Sequence, residues 1–155
     1  MALKAPVAPG IISAVQGVAD AFVQASLLTG LQARQAYNLR GIAYQFVSSM
    51  VALNGARFQF ALSRRSKVAM PNISDIDVIS LEDQQYKFTT SGAAMIKQSG
   101  YITLPADTPI VEDLIYLQLD TDATAVVNTL VVRLDWEIDT ISDIDRLNLI
   151  ARSLT

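Results

Sequence analysis

Hydrophobic and polar residues alternate with a period of two along much of this chain, most cleanly over 129–141. There Leu130, Val132, Leu134, Trp136 and Ile138 fall on one side, and Thr129, Arg133, Asp135, Glu137 and Asp139 on the other. That is the pattern of a strand with one face on a core. The run LIYLQLD at 114–120 groups Ile115, Leu117 and Leu119 in the same way. Over 57–63, Phe58, Phe60 and Leu62 oppose Arg57, Gln59 and Ser63. Upstream, 36–53 also leans to a strand, with Tyr44, Phe46 and Ser48 on one side. Between these two runs stands Asn54-Gly55, which predicts a β-hairpin because both residues tolerate the positive φ of a two-residue turn. Shorter alternating runs occupy 75–80 and 85–90, with Ser91-Gly92 as punctuation. Pro105 and Pro109 argue against a central strand around 100–109.

Helical spacing occurs at the two ends. Residues 1–10 read as a loose segment, after which Ile11, Val15, Val18 and Phe22 recur three or four apart and predict a helix. The stretch that follows, DAFVQASLLTG, is rich in strand formers and works against it. Near the C-terminus Ile144, Leu147, Ile150 or Ala151, and Leu154 form an apolar stripe. Ser142 and Asp145 open it as a capping pattern, with acids in the first turn where the helix dipole favours them. This helix is expected to dock on a sheet edge or on a neighbour. Six to eight short strands separated by turn signals predict an all-β chain, a single jelly-roll-like β-sandwich. The expected organisation is an N-terminal arm over 1–20, the sandwich over 21–141 and a short C-terminal helix over 142–155.

Composition adds that the surface is sparsely ionised. Of 155 residues, 51% are apolar and 17% charged, against roughly 25% charged in an ordinary soluble domain. No run approaches the about 20 apolar residues that span a bilayer, so the surplus points to subunit contacts, which resemble a core cut open. The expected partner is the chain itself, in many copies. The absence of cysteine and histidine excludes disulfides, thiolate nucleophiles, imidazole triads and zinc sites built on those residues. The N-terminus is a poor signal peptide, its apolar stretch broken by Pro6, Pro9, Gly10 and Gln16. The net charge of −3 conceals a split: +6 through Ser74 and −9 from Asp75 onward. The two halves are expected to neutralise each other within the fold or between copies.

Three constellations carry candidate chemistry. In FQFALSRRSKVAMP, a strand ends in Arg64, Arg65 and Lys67, a cationic loop suited to an intersubunit contact or to phosphates. If the loop is a free surface, replacing all three by Ser should spare the fold. Nucleic acid is the weaker partner, since residues 1–20 carry only Lys4 and no aromatics frame the loop as base-stacking platforms. In DTDAT, Asp120, Asp122 and Thr124 follow Glu112 and Asp113 and offer oxygen ligands to a calcium ion. The EF-hand pattern fails, with Ala125 sixth and Val131 twelfth, and Asp and Thr are also ordinary turn formers. Asp135, Glu137 and Asp139 line one strand face; carboxylates so placed solvate a surface or meet Arg133 and Arg57 across a sheet. No Gly-rich phosphate loop or G-x-S-x-G elbow is present. The chain is therefore expected to have no catalytic residue and no cofactor.

Several stretches taken in order, DAFVQASLLTGLQ, FQFALSRRSKVAMP, DIDVIS, TTSG, IVEDLIYLQLDTDATAVVNTLVVRLDWEI and SDIDRLNLIA, resemble single jelly-roll capsid (coat) proteins of tailless icosahedral viruses of microbes. The resemblance covers about residues 20–150 and lies in texture and strand order. It implies a virion protein whose copies, with other virion proteins, build an icosahedral shell through side-to-side sandwich contacts. The chain departs from many coat proteins in lacking a basic arm. Two other readings stand beside it: a head-decoration or tail protein, and a β-sandwich module binding a glycan through calcium at Asp120 and Asp122.

Overall fold

Strands dominate the structure, a computed structural model that describes residues 10–16, 22–52, 57–85, 92–105, 108–121 and 125–154. They are β1 (Gly10–Gln16), β2 (Val23–Leu28), β3 (Gln35–Ala52), β4 (Arg57–Ser63), β5 (Val78–Gln85), β6 (Gly92–Thr103), β7 (Pro109–Ile110), β8 (Leu114–Thr121) and β9 (Ala125–Thr140). One helix follows, α1 (Asp143–Leu154).

The strands form two antiparallel sheets. One runs β1-β9-β3-β6 with β7 beside β3; the other runs β2-β8-β4-β5. With the two-residue β7 set aside, the pairings nest: β1 with β9, β2 with β8, β3 with β6 and β4 with β5. The chain is thus a long antiparallel ribbon, folded at its middle. Two further pairings, β3 with β9 and β4 with β8, roll that ribbon into facing sheets. This is a jelly roll.

The alternation of the sequence explains the core. Leu39, Ile42 and Phe46 of β3 and Leu130, Val132 and Leu134 of β9 face inward from one sheet. Phe58, Phe60 and Leu62 of β4 and Ile115, Leu117 and Leu119 of β8 meet them from the other, all fully buried. Each such side chain contributes about 1.5–3 kcal/mol on burial. The sheets interlock through the rings of Phe46 and Phe58, stacked 4.2 Å apart. Tyr37 and Trp136 stack at 4.0 Å in the same core. Trp136 lies so close over β1 that a Cβ on Gly10 would stand 2.6 Å from its Cζ2.

Two sequence expectations change. Gly10–Gln16, placed in an arm with helical spacing, is a strand paired with β9 along its whole length. Ile11 and Val15 lie four apart, which fits a helix turn but equally keeps both on one face of a strand; Ile12 and Ala14 then enter the core. Val18 lies outside the described residues. The hairpin between β3 and β4 does not form: β3 belongs to one sheet and β4 to the other, and Asn54 and Gly55 themselves lie outside the described residues. The C-terminal helix starts as expected, and the first two residues of its apolar stripe stay open to solvent. Asp145 N donates to Ser142 Oγ at 3.1 Å, and the Ser142 hydroxyl donates back to the Asp145 carboxylate at 2.7 Å. Ile144 and Leu147 are nevertheless 72% and 66% exposed. Of the run at 85–90 only Gln85 is described, as the end of β5; Ser91 also lies outside. Pro105 follows β6, an outer strand, in keeping with the exclusion of a central position.

Candidate interaction surface

The chain leaves β4 at Ser63 and re-enters a strand at Val78. The intervening segment folds back over the outer face of the second sheet. Gln118 alternates with the core residues Leu117 and Leu119 and so points outward from β8, yet it is fully buried. Its Nε2 donates at 2.8 Å to both Gln24 Oε1 and Ser63 Oγ. Gln24 Oε1 also accepts the backbone N–H of Lys67 at 2.7 Å, and Ser63 Oγ donates to the Arg65 carbonyl at 2.6 Å. A polar seam therefore fastens the loop to β2, β4 and β8.

The sequence-predicted cations complete the fastening. Arg64 donates through Nη1 to the Pro109 carbonyl at 2.7 Å and pairs with Glu112 at 3.2 Å, both side chains largely buried. Its backbone N–H reaches the Asp77 carbonyl at 2.8 Å. Lys67 Nζ lies 2.8 Å from Asp77 and 3.6 Å from Asp75. Asp75 in turn closes a turn on Asn72. Arg65 is half-buried, with Nη2 lacking a hydrogen-bond partner among the described residues. The structure thus brings Arg64 and Lys67 to acids of their own chain. The neutralisation extends along the molecule: Arg34, Arg40 and Arg57 also pair with acids beyond residue 74, namely Asp143, Glu137 and Asp83. Arg57 meets Asp83 on β5, not the acids of β9, which lie in the other sheet; there Asp135 pairs with Arg133 at 3.3 Å.

With its charges turned inward, the loop presents aliphatic carbon. Val68 is 97% exposed, and Ile73 and Ile76 are exposed beside a braced backbone. The sequence VAMPNI carried this signal, overshadowed by the cations preceding it. Nearby, where Leu28 pairs with Leu114, both side chains reach solvent. Helix α1 is tied to the same end of β8 by Arg146 and Asp113, 3.9 Å apart. Exposed aliphatic side chains of this kind are the chemistry of a surface that gains by being covered.

The acids considered for calcium are separated. Asp120 lies opposite Gln59 near one end of β8, whereas Glu112 and Asp113 precede its other end. Asp122 and Thr124 lie outside the described residues. Among the described residues no cluster of three acids is placed to hold a metal ion.

No family model and no curated protein sequence matches this chain. Solved structures do. Dimeric latent PorU from Porphyromonas gingivalis matches with a TM-score of 0.50 and 10% identity, over 90% of this chain and 14% of that one. VP2 of infectious bursal disease virus, in a subviral particle, matches with a TM-score of 0.41 and 9% identity, over 88% and 38%. Desmodium yellow mottle tymovirus gives a TM-score of 0.35 and 13% identity, over 91% and 94%. The chain therefore spans about one seventh of the PorU chain and well under half of the VP2 chain. At such identities the PorU likeness bears on the sandwich fold alone.

Proposed function

We propose that this chain is a structural virion protein without enzymatic activity, a coat protein whose copies associate side by side into an icosahedral shell. The observation that carries the reading is the loop after β4. Arg64 and Lys67 are paired within the chain, and the loop's aliphatic side chains Val68, Ile73 and Ile76 face solvent. Exposed aliphatic side chains of this kind gain by meeting another protein surface, because exposing them to water costs free energy in proportion to their area. The jelly-roll strand order, the sparse charge and the resemblance to coat proteins support the same conclusion.

In this reading Arg64 and Lys67 act as struts that hold the patch in shape, and the intersubunit contact runs through Val68, Ile73 and Ile76. Arg65 lies at the rim of that seam. Packaged nucleic acid is not a main ligand of the loop, since two of its three cations already have carboxylate partners.

The test is to purify the chain alone and examine it by negative-stain microscopy and light scattering. Closed particles of uniform diameter are expected, and their geometry separates a shell protein from a decoration or tail part. A protein that stays monomeric at high concentration, in both low and high salt, would overturn the proposal.

A further inference from the structure

We infer that β1 is the seam of a two-fold contact, in which it pairs antiparallel with β1 of a second copy, centred on Ser13. Among the described residues β1 is the outermost strand of its sheet, with β9 on its one paired side. An outer strand leaves a row of backbone N–H and C=O groups for another chain, and proteins that stay single blunt such edges with charge, proline or a bulge. β1, GIISAVQ, has none of these, and its register with β9 is unbroken. The other outer strands differ. β5 carries Glu82 and Asp83, and β6 carries Lys97. On β2 the outward Gln24 is fastened to the loop after β4.

The residues flanking Ser13 specify the occupant. Ile11 and Val15 project from the outer face 60% and 57% exposed, with Val131 of β9 opposite Ser13 between them. Each stands two positions from Ser13. In a self-pairing about Ser13, Ile11 therefore faces the second copy's Val15, and Val15 faces the second copy's Ile11. Ser13 faces itself. Two β-branched pairs then flank the Ser13 pair on the outer face, each a favourable cross-strand contact, while backbone hydrogen bonds supply the affinity of strand addition. No charge on either strand opposes the approach. The self-complementary spacing selects a second copy of this chain, under the isologous geometry of a two-fold axis. This contact rests on the reading that copies of the chain associate, and it names one surface through which they do.

The chain contains no cysteine, so a Ser13→Cys variant has a single thiol to report the contact. Directly opposed residues of antiparallel strands have Cα atoms about 4.5–5.5 Å apart, inside the disulfide range of about 4.4–6.8 Å. Mild oxidation should convert Ser13→Cys to a disulfide dimer on a non-reducing gel, reversible by thiol. Ser99→Cys, exposed in the same cross-strand row but on β6, should remain uncross-linked. A second pair of variants tests register, with circular dichroism confirming the fold of each. Ile11→Lys with Val15→Lys opposes like charges and should weaken association about tenfold or more. Ile11→Glu with Val15→Lys sets an introduced carboxylate against an introduced ammonium at both pairs, and should restore it. The seam is overturned if Ser13→Cys cross-links no faster than Ser99→Cys, or if the double-lysine variant associates as well as the unaltered chain; assembly by other surfaces would then stand. An unaltered chain that never leaves the monomer would overturn both readings.

Discussion

Lys67 Nζ sits 2.8 Å from Oδ1 of Asp77, a carboxylate whose side chain is only 7% exposed. Removing the ammonium would strand that carboxylate in a poorly solvated place, and breaking a buried pair in this way costs several kcal/mol. Because Lys67 retains some solvent contact, Lys67→Met is expected to cost about 1–3 kcal/mol by urea denaturation. Asp77→Asn in the Lys67→Met background should add less than it does alone, the mark of coupled partners. The triple change Arg64→Ser, Arg65→Ser, Lys67→Ser, harmless to a free cationic loop, is expected here to lower the melting temperature clearly.

Glycine positions differ in what they must accommodate. Gly10→Ala drives a methyl group against the largely buried Trp136 ring, itself stacked on Tyr37. Such overpacking costs about 1–3 kcal/mol. Gly41→Ala meets the Tyr101 side chain instead, which is more than half exposed and can swing away. Thermal melts should therefore rank Gly10→Ala as the more damaging change, and equal effects would show that Trp136 has room to move.

Asp83 should titrate below the ordinary carboxylate range, chiefly because Arg57 hydrogen-bonds its charged form, with Gln59 adding a donor. The stability contributed by this pair is complete above the unfolded carboxyl value of about 3.9, and fades as pH falls through the lower folded value. Both side chains are well solvated, so the contribution is small. Carboxyl-carbon NMR of Arg57→Ala should find the Asp83 midpoint moved upward, while stability near neutral pH barely changes. An unmoved midpoint would remove Arg57 as the cause.

Helix α1 separates folding from association. Ile144 and Leu147 are exposed, so replacing both by Lys should leave stability within about 0.5 kcal/mol. If the helix meets a neighbour, the same variant should form fewer or smaller particles by light scattering. A large loss of stability would instead mean that the stripe is buried within the single chain.

Much of the sandwich was legible because its strands are half-buried. β4, β8 and β9 each set a core residue at every second position, and Ser142 with Asp145 marks the helix start. β1 was obscured because Ile11 and Val15, four apart, satisfy both a helical and a strand period. The Asn54-Gly55 signal is local. It cannot tell a strand that returns beside its predecessor from one that crosses to the facing sheet. The partners of the loop cations were hidden for a similar reason: Glu112 lies far along the chain from Arg64, and only folding brings the two within 3.2 Å.

The nested pairing also sets a timetable for synthesis. β4 and β5 are neighbours in sequence and can join soon after both leave the ribosome, whereas β1 must wait for β9, nearly the whole chain later. Contacts so distant form slowly. Throughout that interval β1, uncharged on both faces, has no native mate, and a crowded polysome offers it identical strands from sister chains.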